Sequence, residues 1–265
     1  MRTFRVATLN IWSRFGPWEE RLQAIRHGLR TLAPDVIGMQ EVLKNPTMDQ
    51  TALLAEGLGY EVAWGISSEN HGFPTGNAIL SKWPVGRTEV IPLPNGGSDE
   101  HRSIVFAELA SPFGKLPVFC THLNWKLHHG HIRQLQVKTL ADAVARLAPI
   151  EGFPALVMGD FNAEPDSDEI RFMRGLTGLG GPCVYFADTF GVAGDGSPGT
   201  TFSKRNPFAG PLREPERRID YVFVRGPDDS QRGEATEASV CFDQPHEGTF
   251  PSDHFGVIAT ITAGR

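Results

Sequence analysis

Short apolar runs recur along this chain, each rich in Val, Ile and Phe and each too brief for a helix. Phe4–Leu9, Asp35–Gln40, Gly76–Leu80, Ile104–Leu109, Leu116–His122, Ala155–Gly159, Ile219–Val224 and Gly256–Ile261 read as buried strands. Between them the period changes to that of a helix. Trp18–Leu32 sets Leu22, Ile25, Leu29 and Leu32 on one face and meets Pro34 as a stop. Ile132–Leu147 does the same with Leu135, Leu140, Val144 and Leu147 ahead of Pro149. Met48–Leu58 and Ser167–Gly175 are shorter helix candidates. Ser81–His101 and Gly191–Arg217 show neither period and read as long loops, a kind often tied to function. Strands covered by helices predict a layered α/β body, taken as one domain over residues 1–265.

Composition narrows the function classes. Of 265 residues, 25 are basic and 31 acidic, so the net charge of −6 argues against a protein that coats duplex DNA by neutralising phosphates. It leaves room for an acidic site that binds cations. The cysteines, Cys120, Cys183 and Cys241, form no CxxC pair and no even framework, which suits buried thiols in a reducing compartment. No apolar run approaches the roughly 18 residues of a membrane span. The start, MRTFRVATLN, enters a strand pattern directly, with no signal-peptide pattern. A cytoplasmic location without stable membrane association is the expectation.

The residues able to do chemistry gather at the strand ends. Asn10 ends the first strand and Glu41 the second. Leu116–Thr121 runs into His122, and Ala155–Gly159 into Asp160 and Asn162. Asp220 sits within the next to last strand, and Asp253 and His254 precede the final one. Any one of these groups alone is an ordinary turn or surface residue. Strand ends in a layered α/β fold converge on one edge, and oxygen ligands gathered there suit a hard cation such as Mg²⁺ or Mn²⁺.

The strings TLNIW, QE, GNAILS, THL, GDFN, RIDYVFV and SDHFGV, in this order from Thr8 to Val257, resemble the endonuclease/exonuclease/phosphatase superfamily of metal-dependent phosphoesterases. The resemblance implies a four-layer α/β sandwich: two mixed β-sheets face to face, helices outside and the active site at one edge. It implies Glu41 as the main metal ligand, with Asn10 beside it through its carbonyl oxygen and Asp253 as a second carboxylate. Asp160 would orient or deprotonate the attacking water, and Asn162 and His122 would contact the phosphoryl group. His254 would be either the general base or a cationic clamp. Asp220 would orient a histidine, either His254 or His122. Attack would be direct, since no cysteine or serine sits in a nucleophile setting.

Weaker signals surround this set. Arg102, Asn77 and Trp125 are candidate substrate contacts. Arg133 and Gln136 form an RxxQ pair that reads as a buttress for the His122 strand. His128, His129 and His131 read as a rim loop, and Thr200-Thr201-Phe202 as scaffold. Lys204, Arg205, Arg213, Arg217 and Arg218 give a locally basic loop. The phosphate ester stays open among a small diester, a nucleic acid and a lipid headgroup of the sphingomyelinase kind. DNA or RNA nuclease activity is the main alternative, and a non-catalytic binding protein is the least favoured.

Overall fold

The computed structural model describes residues 2–70, 73–226 and 228–264. The chain opens with β1 (Thr3–Asn10), α1 (Trp18–Leu32), β2 (Val36–Asn45), β3 (Met48–Asp49), α2 (Gln50–Ala55), β4 (Glu61–Asn70) and β5 (Phe73–Ser81). It continues with β6 (Val85–Leu93), β7 (Arg102–Ser111), β8 (Gly114–His122), α3 (Gly130–Leu147), β9 (Leu156–Asp160) and α4 (Asp168–Met173). It closes with β10 (Ala187–Asp188), α5 (Thr189–Ala193), β11 (Asp220–Val224), β12 (Arg232–Cys241) and β13 (Gly256–Ala263).

The strands form two mixed sheets. One runs β12-β13-β1-β2-β5-β4 with β3 on β2, and the other runs β10-β11-β9-β8-β7-β6. Two parallel pairs, β1 with β2 and β8 with β9, are joined by the crossover helices α1 and α3. Helix α1 has the expected bounds: Glu19 and Glu20 sit in its first turn, and Ala33 caps it in a left-handed conformation before Pro34.

The period of two along each strand sorts side chains into three apolar layers. Phe4, Val6, Val118, Cys120, Leu156 and Met158 meet between the sheets. Ala7, Leu9, Ile37 and Met39 turn outward to Ile25 and Leu29 of α1. Phe119 and Val157 turn the other way, to Val137 and Leu140 of α3 and Ile170 of α4. The result is the four-layer sandwich: helices, sheet, sheet, helices. The same parity carries four chemical groups. Asn10 follows Phe4 and Val6, His122 follows Val118 and Cys120, Asp160 follows Leu156 and Met158, and Asp220 precedes Val222 and Val224. All four therefore lie on the facing surfaces of the sheets, at their common edge.

Two expectations change. Ser81–His101 is not one loop, because β6 occupies Val85–Leu93. The strands that the pattern hides, β4, β6 and β12, all lie at sheet edges, where one side of the backbone is unpaired and polar residues replace the apolar run. Cys120 and Cys241 are buried as expected, and burial pushes the Cys120 thiol up to about 12, but Cys183 is exposed.

Gly159 allows β9 to lie against β8. It adopts φ of 153°, and a Cβ there would stand 2.0 Å from the Thr121 carbonyl oxygen, a backbone atom that cannot give way. Gly159→Ala is therefore expected to cost about 2 kcal/mol or more in denaturant unfolding. A loss below about 0.5 kcal/mol would contradict this account of the close approach.

Candidate active site

Register builds the centre of the site. In the parallel pair β8–β9, His122 stands opposite Asp160, and in the antiparallel pair β9–β11, Asp160 stands opposite Asp220. Three neighbouring strands thus present an imidazole and two carboxylates in one row. Across the gap Asn10 donates through Nδ2 to Asp160 Oδ2 at 3.0 Å and to Glu41 Oε1 at 3.2 Å. His254, two residues before β13, completes the row: its Nδ1 lies 3.0 Å from Asp220 Oδ2 and its Nε2 3.8 Å from Asp160 Oδ2.

Glu41 is aimed by a β-bulge. Pairing of β2 with β5 slips between Met39 and Val42, and both of these face α1 and α2. The two residues between them turn the other way: Gln40 reaches Thr8 and Cys120, and Glu41, at φ of 60°, lines the cavity. Trp12, Ser13 and Asn162 also adopt left-handed backbone beside the site (φ 55°, 41° and 50°). Strained residues of this kind persist only where their surroundings fix them. The fixing group for the first two is Arg21, which sequence reasoning missed. It is fully buried and donates to the carbonyls of Ile11, Trp12, Ser13, Phe15 and Pro251. Burial lowers its guanidinium to about 10, against the pull of Asp253 and Glu41. A signal existed: Arg21 stands four residues before Ile25, on the apolar face of α1.

Most expected residues line one cavity of about 1030 Å³, including Asn10, Glu41, Arg102, His122, Trp125, Asp160, Asn162, Asp253 and His254. Asp220 lies behind the cavity wall, and of the two histidines it is His254 that it bonds. Asn77 is off the cavity wall: it points between the sheets and donates to the Ser103 carbonyl at 2.8 Å. Asn10 presents its amide nitrogen to the carboxylates, and its oxygen accepts from the Trp12 N–H at 2.9 Å, the reverse of the expected carbonyl ligand. Arg102 reaches His122 through Nη1 at 2.9 Å and Glu100 through Nη2 at 2.7 Å. Arg133 and Gln136 buttress the loop after β8, donating to the Asn124 and Lys126 carbonyls and accepting from the Asn124 N–H. In the basic loop Arg217 pairs with Glu214 of the same loop, whereas Arg218 pairs with Asp188 and Arg205 with Asp243, both outside it.

Burial and charge set opposite protonation states across the row. His254 is driven down by burial, but the charges of Asp220 and Asp160 outweigh this and hold it well above the usual imidazole value. His122 is driven well below that value by burial, then by Arg102 and His254. Burial and the charge of Asp220 raise the Asp160 carboxyl to about 7. Asp253 is raised to about 6 by burial, with His254 pulling it down and Glu41 pushing it up.

Two groups of residues have the donor chemistry for a cation. Asp160, Asp220 and His254 bring ligand-type atoms within 4.8 Å of one another. There Nδ1 of His254 is taken up by its hydrogen bond to Asp220, and both carboxylates draw on the one imidazole. Glu41 and Asp253 repel each other across the wall, and such paired oxygen donors fit a hard divalent cation.

Because the His254 value is raised above its unfolded value of about 6.5, its charge adds stability that is full below that pH. The contribution is lost as pH rises through the folded value. In EDTA, Tm should therefore fall as pH rises above about 6.5, and less steeply in Asp220→Asn, which removes the largest attraction on the imidazolium. Parallel curves for the two proteins would contradict the pairing.

Comparison with known proteins places the whole fold in a family. A model of the Endonuclease/Exonuclease/phosphatase family matches residues 7–254. "Uncharacterized protein F14F9.5" of Caenorhabditis elegans is 24% identical over 303 residues, covering 97% of this chain and 91% of its own. A crystal structure of an endonuclease/exonuclease/phosphatase from Beutenbergia cavernae DSM 12333 aligns with a TM-score of 0.78 and 25% identity, over 100% of this chain and 72% of its own. TDP2 of D. rerio, complexed with single strand DNA product, aligns with a TM-score of 0.78 and 17% identity, over 99% and 100%. The family match begins within β1 and ends at His254, taking in every strand-end group of the cavity, and this chain belongs to the endonuclease/exonuclease/phosphatase family.

Proposed function

We propose that this protein is a divalent-metal-dependent phosphodiesterase in which water attacks phosphorus directly, in line with the leaving oxygen. The observation that carries the reading is the row His122, Asp160, Asp220 and His254 facing Glu41 and Asp253 in one cavity. A diester oxygen is anionic and repels an incoming hydroxide, so the site must supply positive charge, a base and fixed donors. Glu41 and Asp253 would hold Mg²⁺ or Mn²⁺, which when bound polarises the phosphoryl oxygen as a Lewis acid. Asp160, its carboxyl raised toward neutrality, takes the proton of the attacking water. His254 stays an imidazolium on Asp220 and draws a phosphoryl oxygen toward Nε2. Asn162 donates beside it, and Asn10 keeps Asp160 aimed.

A nucleic-acid substrate is the second reading, and the rim of the cavity favours it. Phe15 and Trp125 are exposed there, with Trp12, Arg14 and Lys126 beside them. Aromatic faces with adjacent cations suit stacked bases on a phosphate chain. The single strand DNA product bound to D. rerio TDP2, a protein of like fold, adds support.

The test is hydrolysis of bis(p-nitrophenyl) phosphate with Mg²⁺, Mn²⁺ or EDTA, beside a labelled single-stranded oligonucleotide. Metal-dependent turnover of the diester is expected. Glu41→Gln should lower kcat about 100-fold or more while Tm stays within about 4 °C, and His254→Ala should lower kcat as much with a clear fall in Tm, because it leaves Asp220 buried without its partner. Wild-type turnover in either variant, or full activity in EDTA, would overturn the reading. Faster cleavage of p-nitrophenyl phosphate than of both diesters would move the protein to the phosphatases.

A further inference from the structure

We infer that Glu100 and Arg102 form a positioning pair that holds His122 as a neutral imidazole with its hydrogen on Nε2, so that His122 serves as a fixed donor and not as a base. The chemical use of that donor rests on the phosphodiesterase reading; the geometry stands apart from it. Pairing of Ile104 with Thr121 sets the first residue of β7, Arg102, beside the last of β8, His122. Arg102 Nη1 lies 2.9 Å from His122 Nδ1. A guanidinium has donors and no acceptor, so Nδ1 must accept. A neutral imidazole has a single N–H, which is thereby placed on Nε2. Arg102 is held in turn by Glu100, whose Oε1 accepts from Nη2 at 2.7 Å, and the two side chains keep only 13% and 15% of their exposure.

Two contacts compete at Nε2. Asp160 Oδ2 lies 3.3 Å away and Asn162 Nδ2 lies 3.1 Å away. Arg102 decides between them. With the hydrogen on Nε2, the imidazole donates to the Asp160 carboxylate, and the Asn162 amide donates to the Leu123 carbonyl at 3.2 Å. A second proton on His122 is opposed by burial and by the charges of Arg102 and His254.

The two histidines of the site thus have opposite neighbours. His254 backs onto a carboxylate and carries charge, whereas His122 backs onto an arginine and stays neutral. When a phosphate ester enters, His122 presents a ready N–H beside Asp160, in the row where a phosphoryl oxygen gains charge. Arg102, with both terminal nitrogens engaged, acts through His122.

Imidazole ¹⁵N spectra of the metal-free and Mg²⁺-loaded protein at pH 7 test this. The Nε2–H form is expected for His122, and Arg102→Met should turn it into a mixture of tautomers. Arg102→Lys, which keeps a donor, should restore the Nε2–H form in part. In the diester assay Arg102→Met should lower kcat about 10- to 100-fold with little change in KM. His122→Gln places an amide N–H near the Nε2 position and should keep at least about tenfold more kcat than His122→Asn, which cannot reach it. An Nδ1–H or doubly protonated His122 in the wild type, an unchanged tautomer in Arg102→Met, or equal loss in the Gln and Asn variants would overturn the inference. If the wild type itself turns over no diester, the phosphodiesterase reading fails, and the tautomer spectra alone decide the role of Arg102.

Discussion

The hydrogen bond from Asn10 Nδ2 to Asp160 Oδ2 joins the ends of two strands that belong to different sheets. Each must expose the right parity, and each must end at the same level. Gly159 lets β9 close on β8, and the pairing of His122 with Asp160 depends on that approach. The Ser252 hydroxyl ties the loop before β13 to the Asn10 carbonyl at 2.6 Å, which brings His254 to the same place. A one-residue slip in any of these strands would turn its chemical group to the helix layer. The site is therefore a property of sheet packing more than of any loop.

Burying several carboxylates at one edge is costly, and the structure offsets each in a different way. Asp220 meets the imidazolium of His254, Asp160 gains the amide of Asn10 and the backbone N–H of Asn162, and Asp253 lies within the attraction of His254 and Arg21. Arg21 supplies a fixed positive charge to the wall of Glu41 and Asp253 while holding the strained Trp12 and Ser13. Carboxylates left in partial repulsion are poor for a resting core and well suited to a cation and an anionic ester.

Much of this was legible in the residues. Central strands carry apolar runs because they are buried on both faces, so β1, β2, β8, β9, β11 and β13 stand out, as do α1 and α3. Along each strand, Asn10, His122, Asp160 and Asp220 share the parity of apolar residues that face the opposite sheet. The resemblance to the family supplied the stacking of two sheets, which periodicity does not encode. Edge strands such as β6 and β12 were hidden by their polar residues. Partner choice was hidden too: that Asp220 takes His254, that Arg102 takes His122 and that Asn10 turns its nitrogen inward depend on contacts between residues far apart in the chain. Arg21 was overlooked because an arginine on a helix reads as surface, although its place on the apolar face marked it.

The proposed chemistry divides labour within one cavity: Glu41 and Asp253 for a cation, and the row of Asp160, Asp220 and His254 for protons and phosphate. Anomalous scattering from a crystal soaked in Mn²⁺ tests it most directly. A peak against the Glu41 and Asp253 carboxylates, with the His254–Asp220 hydrogen bond intact, is the expected result. A peak centred among Asp160, Asp220 and His254, with that hydrogen bond broken, would contradict it.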